Sequence, residues 1–203
     1  METRDTYKTI AAPSDEILYK EKNSKFFGYA FPIEAESEVK QFIDPLRKKH
    51  FNAVHFCYAF QIGTEKTSFR ANDDGEPANS AGAPIYGQIQ SHGLTNTLIV
   101  IVRFFGGTKL GVGGLISAYR TAAQMALEAA EIVERTIDIH YQIGFEYKDM
   151  NKVMRIIKEK NFNIVSQQMD EKCLIEISVR KKNAAIALEV FEQTFGITIK
   201  KLD

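Results

Sequence analysis

Between residues 137 and 145 the apolar Ile137, Ile139, Tyr141, Ile143 and Phe145 alternate with Asp138, His140, Gln142 and Gly144. That is the two-residue period of a half-buried strand. The period then changes: Met150, Val153, Met154 and Ile157 recur at spacings of three and four, predicting a helix with Asp149 as its cap. Residues 162–168 and 173–179 predict two strands joined by a polar hairpin at 169–172. A second helix is expected after Asn183, buried along Ala184, Ala187, Leu188, Phe191 and Phe195. Gly196 supplies the left-handed residue that ends it, and GITIKKL forms a last strand. This β-α-β-β-α-β order is the split βαβ, or ferredoxin-like, arrangement. Its open face is expected to carry His140, Gln142, Leu174, Glu176 and Ser178, without the stacked aromatics of an RNA-recognition sheet.

The first part of the chain patterns differently. LYKEKNSKFFGYAFPI predicts a strand pair, and Val39, Phe42, Ile43 and Leu46 a helix that Pro45 is expected to kink. VHFCYAFQI and TSFRAND predict strands on either side of GTEK. A short helix is expected to open at Asn79 or Ser80, with Pro84 in its first turn and Gly93 at its end. TLIVIVRFF is an unbroken apolar run, the mark of a central strand covered on both faces. Leu115, Ala118, Ala122, Met125, Ala129 and Val133 then give a helical stripe to about residue 133. The expected fold class is α+β in two domains, residues 1–135 and 136–203.

Composition narrows the function classes. Hydrophobic residues make up 44% of the 203 and charged residues 26%, as in ordinary folded chains. Lys plus Arg and Asp plus Glu number 26 each, so any nucleic-acid site must be local. No window approaches the roughly 18 apolar residues of a membrane span. METRDTYKTI lacks the apolar core of a secretory signal. The expectation is a cytoplasmic protein with no membrane partner. Cys57 and Cys173 lack CxxC spacing and lie in apolar runs, which predicts buried thiols with no disulfide partner.

Two stretches stand out for chemistry. Five glycines fall between Gly106 and Gly114, after the apolar run and before the alanine-rich helix. Strand, glycine loop and helix in that order are the layout of phosphate sites. The P-loop pattern fails, because Gly106 leads to Gly111 and then to Val112 and Gly113. The dinucleotide GxGxxG fails as well, because Gly111 and Gly113 are followed by Ile116. An anion-friendly loop flanked by Arg103, Lys109 and Arg120 stands against the plainer use of glycine in tight turns and close packing. In DDGEP, Asp73, Asp74 and Glu76 could hold a divalent ion, yet they fall outside EF-hand spacing. Asp, Gly and Pro in this order form a tight turn, so no metal and no cofactor is expected. Neither His50, His55, His92 and His140 nor Ser24, Ser80, Ser91 and Ser117 stand in a catalytic context, and no catalytic residue is assigned.

KNSKFFGYAFPI, AVHFCYAFQI, DDGEPANSAGAPI and VRFFGGTKLGVGGLISAY together resemble the IMPACT family, whose bacterial members are the YigZ-type proteins. The chain departs from the family pattern at Asn79 and Ser80, where a small residue and Thr are usual. The resemblance implies an N-terminal α/β sandwich like the second domain of a small-subunit ribosomal protein. It implies a C-terminal ferredoxin-like domain resembling the last domain of elongation factor G. Both point to translation, and in eukaryotic relatives, which carry a different N-terminal partner-binding domain as well, the family domain is linked to translational control through interference with activation of the kinase that senses amino-acid starvation. The leading expectation is therefore a non-catalytic binding module that contacts RNA, the ribosome or a translation-related protein. Its expected site comprises Asp73, Asp74, Gly75, Glu76, Arg103, Gly106, Gly107, Lys109, Gly111, Gly113, Gly114 and Arg120. A local basic surface from Lys25, Arg70, Arg103, Lys109 and Arg120 is expected to form on folding. The alternative expectation is a small-molecule enzyme or nucleotide-phosphate binder, with a divalent cation on Asp73, Asp74 and Glu76.

Overall fold

A computed structural model describes residues 5–170 and 172–202. The chain divides into two compact units, residues 7–135 and residues 136–202, the latter with Asp5 and Thr6. The first unit runs β1 (Thr6–Ile10), β2 (Ile17–Glu21), β3 (Ser24–Pro32), α1 (Val39–Lys49), β4 (His55–Ile62), β5 (Ser68–Asn72), α2 (Gly82–Ser91), β6 (Thr97–Phe104), α3 (Gly111–Glu128) and β7 (Ile132–Thr136). Five of these strands form an antiparallel sheet in the order β2-β3-β6-β4-β5. As its unbroken apolar run requires, β6 lies at the centre. Ile99 and Ile101 enter a core under α2 and α3, while Leu98, Val100 and Val102 enter a second core under α1. The alanines of α3 let it settle on β3, where a Cβ on Gly28 would come within 3.1 Å of the Ala122 carbonyl oxygen.

The second unit runs β8 (Asp138–Phe145), α4 (Met150–Glu159), β9 (Asn163–Met169), β10 (Cys173–Arg180), α5 (Ala184–Glu192) and β11 (Ile197–Lys201). Its sheet order, β11-β8-β10-β9, is that of the split βαβ arrangement. Tyr141, Ile143, Ile175 and Ile177 pack with Val153 of α4 and Phe191 of α5. On the other face Glu176 lies opposite Gln142 and Ser178 opposite His140, and the Glu176 carboxylate meets His140 Nδ1 at 2.9 Å.

Several local expectations are corrected. Helix α3 stops at Glu128, because residues 132–136 pair with β1 as a strand; Val133 therefore leaves the helical stripe. Ala81, rather than Asn79 or Ser80, occupies the cap position of α2. Asp149 and Asn183 make no side-chain cap bond, and single 3-10 turns lead into α4 and α5 instead. Met154 is exposed while Ile156 takes the buried place. Phe195 is 95% exposed, because α5 ends before it and the helical period no longer applies.

Candidate binding site

The acidic turn between β5 and α2 is held by its own side chains. Asp73 caps α2 from a distance: its Oδ1 accepts the Ala81 and Gly82 amides at 2.9 and 2.8 Å, and its Oδ2 accepts the Asn79 amide at 2.9 Å. The Ala81 and Gly82 amides are among those a helix start leaves without partners. Asp74 accepts the Phe56 amide at 2.7 Å and pairs with Arg47 at 3.3 Å. Gly75 follows at a φ of 88°, in the left-handed region that favours glycine.

Glu76 turns inward. Its Oε1 accepts Arg103 Nη1 at 2.5 Å and the Tyr119 hydroxyl at 2.7 Å, and His55 Nε2 lies 3.8 Å away. Glu76, Arg103 and Tyr119 are all buried. Cys57 completes the cluster, with its sulfur 3.0 Å from the Asp73 carbonyl oxygen and 3.3 Å from the Tyr119 hydroxyl. Burial pushes the Cys57 thiol far up, outweighing its hydrogen bond with Tyr119. The same burial, with Cys57 and Glu76 alongside, pushes the Tyr119 hydroxyl up. Both therefore stay protonated, and Cys57 lacks the exposed thiolate a nucleophile needs.

The glycine loop faces outward. A Cβ on Gly106 would come within 2.1 Å of the Asn23 backbone, so this residue locks the loop onto the β2–β3 turn. Gly107 and Gly111 adopt φ of 84° and 73°, and nothing lies within 4 Å of a Cβ built on either or on Gly113. Phe105 and Val112 are 51% and 53% exposed, and Lys109 is exposed between them. Arg120 lies further along α3, in a groove of about 370 Å³ lined also by Ala83, Pro84, Gly87 and Ile116.

The expected site residues thus separate into two groups. Glu76 and Arg103 are buried, with the half-buried Asp73 and Asp74 and the exposed Gly75 in the turn beside them; Gly107 and Lys109 lie on the open loop, and Gly111, Gly113 and Gly114 form the first turn of α3. The expected basic surface is corrected accordingly. Arg103 is only 5% exposed and neutralised by Glu76, and Arg70 is tied to Glu36 at 2.7 Å. The three carboxylates of DDGEP are committed to amides, Arg47 and Arg103, and among the described residues no three acidic, His or Cys side chains gather as a metal cage. His55, Cys57 and Tyr119 belong to the scaffold although they were not expected in the site. The available signal was the strand period, which puts His55 and Cys57 on one face of β4.

The model of the Impact N-terminal domain matches residues 22–127, a span that holds both loops and the buried network. The chain belongs to the IMPACT family. It is 32% identical to the IMPACT family member YvyE of Bacillus subtilis, across 87% of this chain and 81% of that protein. It is 27% identical to the IMPACT family member YigZ of Escherichia coli K12, across 84% of each. A solved structure described as a hypothetical protein shares its fold, with a TM-score of 0.74, 24% identity and 99% coverage of both chains. No helix among the described residues of this IMPACT family chain is long and apolar enough to cross a membrane.

Proposed function

We propose that this IMPACT family chain is a non-catalytic binding module in translational regulation, docking RNA, the ribosome or a translation-related protein through the loop of Phe105–Val112. The observation that carries this reading is the division of labour between the two stretches. Glu76, Arg103 and Tyr119 are buried and bonded to one another, whereas Phe105 and Lys109 on the loop and Val112 in the first turn of α3 are exposed, beside Gly107, Gly111 and Gly113 with open space around them. An exposed aromatic beside a cation on a fixed loop is the raw material of a docking surface.

Family membership supports the link to translation, since eukaryotic relatives are tied to translational control. On this reading the first unit corresponds to the second domain of a small-subunit ribosomal protein and the second unit to the last domain of elongation factor G, and the protein acts in the cytoplasm. The test is co-sedimentation with purified ribosomal subunits at low and moderate salt. Wild type is expected to sediment with a subunit, and Phe105→Ala with Lys109→Ala to stay in the supernatant while remaining folded. Sedimentation that ignores both substitutions, or none by wild type, removes the reading.

A further inference from the structure

The β2–β3 hairpin breaks a rule of strand pairing. Lys20 and Lys25 stand directly opposite each other, where like charges destabilise the pair, and both are exposed. Lys22 adds a third exposed cation in the turn, at a φ of 44°. The hairpin's own acid, Glu21, stands opposite Ser24 and accepts the Tyr19 hydroxyl at 3.0 Å. None of the ion pairs among the described residues of this unit includes the three hairpin lysines. A local conflict of this kind, retained in a folded chain, is where function is to be sought.

The sheet connects these lysines to uncovered apolar surface. Lys25 pairs with Phe104 at the end of β6. The Val54 amide donates to the Arg103 carbonyl at 3.2 Å, which sets the α1–β4 connection against that same strand end. In this connection Val54 is 60% exposed and Phe51 79% exposed. His50, the residue before this connection, packs with the rings of Phe27 and Phe104, at centroid distances of 4.8 and 5.8 Å. The strand end where Lys20 and Lys25 pair thus lies beside the connection that carries the exposed ring of Phe51.

Building on the docking role proposed above, we infer that this end of the first unit binds single-stranded RNA, with phosphates on Lys20, Lys22 and Lys25 and a base on Phe51. Point charges beside an open ring form a stacking platform, which a flexible strand can follow and a paired helix cannot. An acidic peptide would satisfy the lysines but would offer Phe51 no flat partner. The chain has equal numbers of cationic and anionic residues, so the attraction comes from this patch and not from the whole molecule.

The experiment is fluorescence anisotropy of the full chain with labelled oligouridylate across a salt series. Wild type is expected to bind with an affinity that falls as salt rises. Lys20→Gln with Lys25→Gln should lower the log–log slope by about 1.4, at about 0.7 per phosphate on a single strand. Phe51→Ala should weaken binding at least about five-fold and leave the slope alone, as lost stacking does. Lys158→Gln with Lys160→Gln, in the second unit, should change neither. No binding by wild type at low salt overturns the assignment: continued capture by ribosomal subunits then leaves the docking role standing, and loss of capture as well removes both. Polyglutamate competing as well as oligouridylate, with Phe51→Ala silent, overturns it in favour of an acidic protein partner.

Discussion

Glu76 is the residue on which the buried network depends, because its single oxygen Oε1 serves both Arg103 and Tyr119. Removing its charge leaves the Arg103 guanidinium buried without a counterion, and breaking a buried pair in this way costs about 3–5 kcal/mol. Glu76→Gln is therefore expected to lower the urea midpoint strongly, whereas Phe105→Ala, at a half-exposed site, should stay within about 0.5 kcal/mol of wild type. A small effect of Glu76→Gln would return the cluster to consideration as a functional site. A second residue-scale prediction concerns Glu16, Tyr29, Lys49 and His50. The Tyr29 hydroxyl donates to Glu16 and lies 2.6 Å from His50 Nε2. Burial holds the His50 imidazole below its ordinary value, with Lys49 reinforcing and Glu16 opposing. Burial alone would raise the Glu16 carboxyl, but hydrogen bonds from Lys49 and Tyr29 and the charges of Lys49 and His50 together hold it low. Both shifts favour the fold only while the groups stay deprotonated. Stability should therefore fall as pH drops below the ordinary histidine value of 6.5, and again below the ordinary carboxyl value of 4.5. Denaturant midpoints against pH check this, and Glu16→Gln should flatten the lower limb.

At the scale of elements, the helix starts carry the most information. Helix α2 begins without a capping side chain of its own and borrows Asp73 from the preceding turn. Asp73→Ala should cost about 1–2 kcal/mol, the usual loss on removing a cap, seen as faster amide exchange in residues 82–85. The glycines of the loop before α3 and of its first turn should divide by surroundings. Gly106→Ala meets backbone at 2.1 Å and must displace the β2–β3 turn, while Gly113→Ala meets nothing within 4 Å and should stabilise by a few tenths up to about 1 kcal/mol. If a partner approaches that backbone closely, the same Gly113→Ala protein will melt higher yet co-sediment less. Sequence periodicity revealed β6, the β2–β3 pair and the order of the second unit because each rests on local alternation. It could not reveal that α3 ends at Glu128, since Val133 continues the helical period and only pairing with β1 overrides it. It also could not show that Arg103 turns inward, because Glu76, its counterion, lies 27 positions earlier in the chain.

At the scale of the whole molecule, the proposed two-domain division rests on each unit having a core of its own. Phe191 sits fully buried among Val153, Ile175 and Ile177, whereas the cores on the two sides of β6 draw only on residues from the first unit. Truncating a buried Phe to Ala leaves a cavity and costs about 3–5 kcal/mol. A loss of that size is a large share of what holds any single domain together. If the units fold as separate cooperative blocks, Phe191→Ala should accelerate amide exchange throughout β8, β10 and β11 while β6 keeps its wild-type protection. If the chain folds as one block, protection must fall in β6 by the same free energy, because every global opening exposes both sheets together. Native-state hydrogen exchange on this one variant separates the two cases. It also bears on function, because a second unit that opens alone leaves the Phe105 loop and the lysine hairpin in place, and ligand binding by Phe191→Ala should then match wild type.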